Sequence, residues 1–238
     1  MRGIFGRLPG FPRCKLCNRP FVGPFGRPLA IVGFGPSRKN PSLCDWCFER
    51  LPLGGAQVDV AVLFADLRGS TELGERLSPT AFAATMNRFY ALATEVLLTH
   101  SAVIDKLVGD EVVALFLPGL SGPDYRRLAA RAGVALVRAV DDVTPSEPRI
   151  EVGVGVHAGA AFVGNVGTGG VADFTALGDT VNIASRLQAV AQAGELVMSD
   201  DVYVALNDPS SGLGKRIVEV RGRSEPVTVH VLATRRSG

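Results

Sequence analysis

Hydrophobic and polar positions change texture near residue 55. Beyond it, short apolar runs alternate with stretches of helical periodicity. Val58–Leu67 is apolar enough for a buried strand. Gly69-Ser70-Thr71 follows and opens a helix, with Ser70 or Thr71 placed to cap it. Phe82, Met86, Phe89 and Ala93 recur at helical spacing and predict an amphipathic helix over Pro79–Thr99. Ala102–Val108 and Glu111–Leu117 read as two strands joined by Gly109-Asp110, a tight-turn pair. Leu128, Ala132, Leu136 and Val140 mark one face of a helix over Asp124–Val140. Ile150–Val156 and Ala160–Val166 predict a second hairpin, and the glycine-rich Gly164–Gly170 reads as turn. A helix over Gly178–Ala191 and strands at Glu195–Met198, Arg216–Val220 and Val227–Leu232 complete the pattern. Strands and helices mix without regular βαβ alternation. The expected fold class is α+β, with helices packed over a mostly antiparallel sheet.

The first 50 residues behave differently. They hold seven Pro and seven Gly, too many for long helices or central strands. Such a segment buries little apolar surface and needs a staple. All four cysteines of the 238-residue chain lie here, as Cys14-Lys15-Leu16-Cys17 and Cys44-Asp45-Trp46-Cys47. Two C-x-x-C pairs separated by 26 residues fit a closed tetrahedral site of four thiolates for structural Zn2+, with a four-cysteine iron–sulfur cluster as the alternative. Disulfides are the weaker reading, because the N-terminus lacks the apolar core of a secretory signal and a reducing, cytoplasmic location is expected. Residues 51–56, with Pro52, Gly54 and Gly55, read as the linker. The expected organisation is a four-cysteine module over 1–53 and a larger domain over 54–238.

Charge and hydropathy narrow the partners. The chain is 47% hydrophobic with a net charge of +2, but residues 1–50 carry nine Lys/Arg against two acidic residues. The balance suggests that the basic module offsets thiolate charge and docks on an acidic partner domain, with Trp46 and Phe48 packing the metal knuckle; nucleic-acid binding is not expected. A membrane helix needs roughly 20 mostly apolar residues. The longest uncharged stretch, Val152–Ala172, carries seven glycines and reads as strands and turns. No membrane span is expected. His100, His157 and His230 have no ligand spacing to one another or to the cysteines, and no Ser-His-Asp or Cys-His set can be assembled.

Two aspartates sit where chemistry needs them: Asp66 at the end of the first strand, Asp110 at a hairpin tip. Carboxylates at neighbouring strand ends can hold divalent cations, and the adjacent helix start offers N–H groups to phosphate. Phe64-Ala65-Asp66-Leu67-Arg68-Gly69-Ser70-Thr71 resembles the first metal motif of the class III nucleotidyl cyclase family, and Lys106-Leu107-Val108-Gly109-Asp110-Glu111 its second. Gly153-Val154-Gly155-Val156-His157-Ala158-Gly159 and Gly164-Asn165-Val166-Gly167 resemble its central hairpin. Phe174–Leu187, with Thr175, Asn182 and Arg186, resembles its transition-state segment. The motifs run in family order over Val58–Leu232.

The resemblance implies a ferredoxin-like cyclase homology domain acting as a homodimer with active sites shared across the interface. In one subunit Asp66, Leu67 and Asp110 would hold two Mg2+ or Mn2+ ions. Gly69, Ser70 and Thr71 would meet the phosphates. The second subunit would supply Asn182 to orient the ribose, Arg186 to stabilise charge on the transferring phosphate, and Arg221 to contact the triphosphate, with Arg223 close enough to replace it. Lys106 and Thr175 would read the base. A lysine donates to N1 of adenine and a threonine hydroxyl accepts from its exocyclic amine, whereas guanine reverses both needs. The resemblance therefore implies an adenylyl cyclase that converts ATP to cyclic AMP and pyrophosphate. Threonine at 175 resembles a subclass that often responds to bicarbonate. Cyclisation of GTP or a pyrimidine nucleotide, a catalytically silent nucleotide sensor and a zinc-dependent nucleic-acid binder are the alternatives.

Overall fold

Alternate residues of the central strands face two different helical layers, and that parity organises the larger part of the molecule. The computed structural model describes residues 2–37, 40–142, 148–168, 171–207, 214–218 and 226–234. The chain forms two compact units, one of Met1–Gly55 with Gly164–Thr175, the other of Ala56–Val163 with Ala176–Gly238.

The strands are β1 (Gly54–Arg68), β2 (Val103–Val108), β3 (Glu111–Phe116), β4 (Glu151–Thr168), β5 (Val171–Leu177), β6 (Glu195–Ser199), β7 (Gly214–Val218) and β8 (Val227–Ala233). The helices are α1 (Arg2–Phe5), α2 (Gly26–Leu29), α3 (Asp45–Glu49), α4 (Ser70–Arg76), α5 (Pro79–Thr99), α6 (Pro118–Ser121), α7 (Tyr125–Asp142), α8 (Asp179–Val190) and α9 (Asp200–Leu206). An eight-stranded sheet runs β2-β3-β1-β4-β6-β8-β7, with β5 paired to β4 off this path. The β1/β3, β2/β3, β6/β8 and β7/β8 pairs are antiparallel and β4/β6 is parallel. The α+β class expected from the sequence is therefore the observed one.

Within the larger unit, Ala61, Leu63, Ala65 and Leu67 of β1 and Val152, Val154 and Val156 of β4 enter one core. Met86, Phe89 and Ala93 of α5 and Ala132, Leu136 and Val140 of α7 cover that face. On the opposite face, Ile183 and Leu187 of α8 pack with Val197, Val229 and Val231. Leu196 and Met198 belong to the first core and Val197 to the second, as period-two alternation requires.

α8 packs closely because β4 presents glycine to it. A Cβ on Gly155 would lie 2.1 Å from the Gln188 nitrogen and 2.6 Å from the Ala184 oxygen, and one on Gly159 would lie 2.9 Å from Thr180 Oγ1. The Gly-Val-Gly-Val run thus sends valines to one core and bare backbone to α8. This corrects the expected second hairpin. Gly153, Gly155, Gly159 and Gly164 lack the positive φ of a turn, and 18 residues form one strand, to which β5 pairs, with residues 169–170 outside the described part. The expected cap of α4 is also corrected: Gly69, at φ 71°, occupies the N-cap position, and Ser70 and Thr71 are already helical. The left-handed exit from β1 suits glycine and leaves no hydroxyl at the cap. The strand expected over Arg216–Val220 runs over Gly214–Val218, and residues 219–225 lie outside the described part. The sequence pattern also missed α9, a seven-residue helix after Ser199.

In the smaller unit the helices are short, as its proline and glycine content requires. Trp46 packs against the Phe34 ring at 6.1 Å between centroids and Phe48 against Phe174 at 6.2 Å. Arg19, 4% exposed, lies between the Phe5 and Phe34 rings at 4.1 and 3.7 Å.

Gly155→Ala is expected to destabilise the fold by about 1–3 kcal/mol, because the new methyl meets helix backbone that cannot rotate away. Calorimetry should record a melting temperature several degrees lower; an unchanged value would contradict the close contact.

Candidate active site

The carboxylates are brought together by strand register. Asp66 pairs with Glu111 across β1 and β3, and the Leu67 N–H donates to the Asp110 carbonyl at 3.3 Å. The intervening Gly109 takes φ 63°, and the Tyr90 hydroxyl of α5 donates to its carbonyl. Asp66 is 22% exposed in its side chain. Burial first, then the negative charge of Asp110, push its carboxyl up to about 6 against the opposing pull of Arg68. Burial, Asp66 and Asp110 raise Glu111 as well, and burial and Asp110 raise Tyr90. The Asp66 and Asp110 carboxyls are oxygen donors of the kind a hard divalent cation takes, and a cation between them would relieve their repulsion.

Lys106 reaches this face through a β-bulge. Ile104 pairs with Ala114, but Lys106 pairs with Val113, so the register skips Asp105. Ile104 and Ala114 belong to the core under α5 and α7. Without the skip Lys106 would share that buried face. With it, Lys106 joins the face of Val113, Glu111, Phe64 and Asp66.

The same face carries α8. Asn182 is exposed and Arg186 half-buried, one turn apart on this helix. Arg68, two residues beyond Asp66 and on its side of β1, donates from Nη1 to Asp66 Oδ2 at 3.0 Å and from Nη2 to the Gln188 carbonyl at 2.5 Å. Its guanidinium fills the space left by Gly153, where a Cβ would lie 2.2 Å from Nη2. The sequence reading gave neither Arg68 nor Tyr90 a role. For Arg68 a signal existed, since residues i and i+2 of a strand share a face; for Tyr90 the contact depends on tertiary packing alone. Thr175 is 5% exposed on β5 within the smaller unit. Gly69, Ser70 and Thr71 form the start of α4 immediately after β1. Arg221 and Arg223 lie outside the described residues.

In the smaller unit the sulfur atoms of Cys14, Cys17, Cys44 and Cys47 all lie within 4.8 Å of one another, and all four are free thiols. Cys17 and Cys44 sulfurs are 3.8 Å apart. A tetrahedron of sulfurs at about 2.3 Å from a zinc ion has edges of about 3.8 Å. The Cys44 N–H donates to Cys14 Sγ at 3.3 Å, the kind of contact that supports a thiolate. Burial pushes Cys44 up to about 11 and raises Cys47 further; burial also acts on Cys14, but N–H groups of Cys17, Cys44 and Leu16 bring it below its usual value. The four residues therefore fit a thiolate-bound metal, whose charge would replace these opposed tendencies.

Asp66 generates a stability test. Its carboxyl is raised from 3.8 to about 6, so the metal-free fold is fully stable with respect to this group below pH 4 and loses stability as pH rises through 6. Asp66→Asn removes that ionisation. Without added divalent cation the variant should melt a few degrees above wild type at pH 7.5 and equal to it near pH 4. Added Mn2+ should raise the wild-type melting temperature and leave the variant unchanged. Equal melting profiles at both pH values would contradict the crowded-carboxylate site.

Residues 55–234 match the adenylate and guanylate cyclase catalytic domain. An uncharacterized Mycobacterium tuberculosis protein is 32% identical over 186 residues, which is 75% of this chain and 33% of the relative. The adenylate cyclase of Anabaena cylindrica is 29% identical over 212 residues, 83% of this chain and 41% of the relative. The chain thus spans between 33% and 41% of the length of these curated relatives. Among solved structures, the guanylyl cyclase Cya2 superposes with a TM-score of 0.70 at 26% identity, covering 78% of this chain and 96% of that one. The adenylyl cyclase CyaB from P. aeruginosa gives 0.67 at 29% identity, covering 78% and 98%. With its motifs in family order and the fold to match, the chain belongs to the class III adenylyl and guanylyl cyclase catalytic-domain family.

Proposed function

We propose that this chain is an adenylyl cyclase that converts ATP to 3′,5′-cyclic AMP and pyrophosphate. The observation that carries the reading is Lys106, which a bulge turns onto the face of the Asp66–Asp110 carboxylates as a donor suited to adenine N1. Asp66, Leu67 and Asp110 hold two Mg2+ or Mn2+ ions. Cations held by these residues would supply the charge that acidifies the ribose 3′-hydroxyl and offsets that of the triphosphate. The 3′-hydroxyl gives its proton to solvent water, its oxygen attacks the α-phosphorus in line, the bond to the bridging oxygen breaks, and pyrophosphate leaves with that electron pair. Asn182 orients the ribose, and Arg186 stabilises the charge that builds on the α-phosphate oxygens. Gly69, Ser70, Thr71 and Arg221 contact the phosphates. Thr175 accepts from the adenine amine.

The domains are read as a four-cysteine module over 1–53 and a catalytic domain over 54–238, working as a homodimer. Lys106, Thr175, Asn182 and Arg186 serve the site whose carboxylates come from the partner. Leu107 and Val108, 45% and 57% exposed on edge strand β2, supply apolar surface of the kind a partner covers. No helix among the described residues is long and apolar enough to cross a membrane. Free thiols and an ATP substrate suit a cytoplasmic location, and the thiols suit structural zinc.

Incubation of pure protein and Mn2+ with each of ATP, GTP, CTP and UTP tests the reading directly. Cyclic AMP should dominate; cyclic GMP or a cyclic pyrimidine nucleotide as main product would transfer the assignment to that nucleotide, and no product from any would leave a silent domain.

The shared site predicts complementation. Asp66→Ala lacks the metal half and Arg186→Ala the transition-state half, so each homodimer should be nearly inactive. Mixing them creates heterodimers with one intact site, and activity should return toward half the wild-type value per heterodimer. Demonstrated subunit exchange without recovered activity would reject the interfacial arrangement.

For the module, elemental analysis should find about one zinc per chain beyond any cyclase cations, lost in the Cys14→Ser/Cys44→Ser variant together with the order of the first 50 residues. Protein purified with neither zinc nor iron would overturn this assignment.

A further inference from the structure

Arg68 touches both an expected cation ligand and the helix bearing the transition-state residues. Its Nη1 donates to Asp66 Oδ2 and its Nη2 to the carbonyl of Gln188 in the last turn of α8. That carbonyl also accepts from the Ala191 N–H at 3.0 Å, and a cation beside it meets the negative end of the helix dipole. Gly153 leaves the room: its missing Cβ is the space the guanidinium occupies. The planar fork thereby joins β1, β4 and α8, alongside the Thr180 hydroxyl of α8, which donates to the Ala160 carbonyl of β4 at 2.7 Å, and the Gln188 side chain, which hydrogen-bonds Asp66.

We propose that Arg68 is a positioning residue that couples cation binding at Asp66 to the placement of α8. By holding one carboxylate oxygen of Asp66, Arg68 aims the other at the cation. The same guanidinium anchors the C-terminal turn of the helix that carries Asn182 and Arg186. Occupation of Asp66 fixes its carboxylate and so fixes the clamp on Gln188; loss of the cation loosens both. This inference rests on the shared-site reading given above for its wider consequence. In such a dimer, Asp66 of a chain serves one active site while α8 of the same chain serves the other, so Arg68 links the two sites.

The test uses the full chain, with Mn2+ as the probe and readouts that do not need turnover. Direct Mn2+ binding and amide hydrogen exchange across α8 are measured for wild type, Arg68→Met, Arg68→Lys and Gly153→Ala, with Asp66→Ala as reference. Arg68→Met should weaken Mn2+ binding about 10–100-fold, the usual effect of removing a group that orients a ligand. In wild type, Mn2+ should slow exchange in the last turn of α8. In Arg68→Met, saturating Mn2+ should leave that turn unchanged. Lysine keeps the charge but cannot donate to both acceptors from one ammonium in the guanidinium's geometry, so Arg68→Lys should not restore the response of α8. Gly153→Ala retains every charge and should reproduce the defect by displacing the guanidinium; if it fails to fold, the Arg68 variants decide.

Mn2+ affinity within twofold of wild type in Arg68→Met, or a wild-type exchange response in Arg68→Met or Arg68→Lys, would overturn the coupling while leaving the cyclase reading in place. Equal Mn2+ binding by wild type and Asp66→Ala would instead remove the cation from Asp66, and the clamp with it.

Discussion

The approach of α8 to β4 is the contact on which the rest of the larger unit depends. A helix normally stands on a sheet at the distance set by interleaved side chains. Here the Gln188 nitrogen would be only 2.1 Å from a Cβ on Gly155, so helix backbone lies almost directly on strand backbone. That closeness has three consequences. It buries Ile183 and Leu187 against Val197, Val229 and Val231. It brings the Gln188 carbonyl within reach of Arg68. It also fixes the height above the sheet at which Asn182 and Arg186 project. Glycine inside a strand costs conformational entropy; burial of the valines between the glycines, on the other face, offsets it.

The carboxylate cluster pulls the other way. Asp66, Asp110 and Glu111 are held near one another by antiparallel register and a tight turn, and neither can relax without breaking strand pairing. Burial and mutual repulsion raise Asp66 and Glu111, so the metal-free site favours a bound proton. Arg68 relieves this only in part, because its fork is divided between Asp66 and α8. A site that binds protons weakly enough to release them near neutral pH and repels itself when ionised is one in which a divalent cation replaces both penalties with attraction. The strain is local. It sits at strand ends, away from the core formed by Leu63, Phe89 and Leu136.

How legible this was in the sequence varied with the range of the interaction. Pro79–Thr99 was read to the residue, because the spacing of Phe82, Met86, Phe89 and Ala93 is a local signal. The Gly109-Asp110 turn was equally local. Asp66 and Asp110 stood out through position at strand ends, but their convergence follows from the β1/β3 register, which no local pattern carries. Gly153 and Gly155 were read within a strand, but a turn was placed between Val156 and Ala160 where the strand continues; only the presence of α8 on that face gives bare backbone at Gly159 a purpose. Arg68 was visible as part of a motif, but its partner Gln188 lies 120 residues away, beyond any pattern along the chain. Gly69 as the cap of α4 was hidden for a different reason: the adjacent hydroxyls offered a more familiar cap.

The bulge at Asp105 is where local and long-range constraints meet most sharply. A strand's faces alternate without exception unless a residue is skipped. Val103 and Ile104 are both buried, the pattern of a strand entering a core, and regular continuation would place Lys106 on the face of Ile104 under α5 and α7. An ammonium buried there among apolar side chains would be costly unless paired. Skipping Asp105 moves the lysine to the opposite face in a single step, and β2 tolerates the irregularity because it is an edge strand with one neighbour to satisfy. Pairing resumes at Lys106 and continues through Leu107 and Val108, while β3 pairs Glu111 with Asp66 on its other side. The hairpin therefore separates two tasks. Its turn sets where the carboxylates meet, and its bulge sets which face the lysine serves, so the group suited to reading a base can be rephased without moving the groups suited to holding a cation.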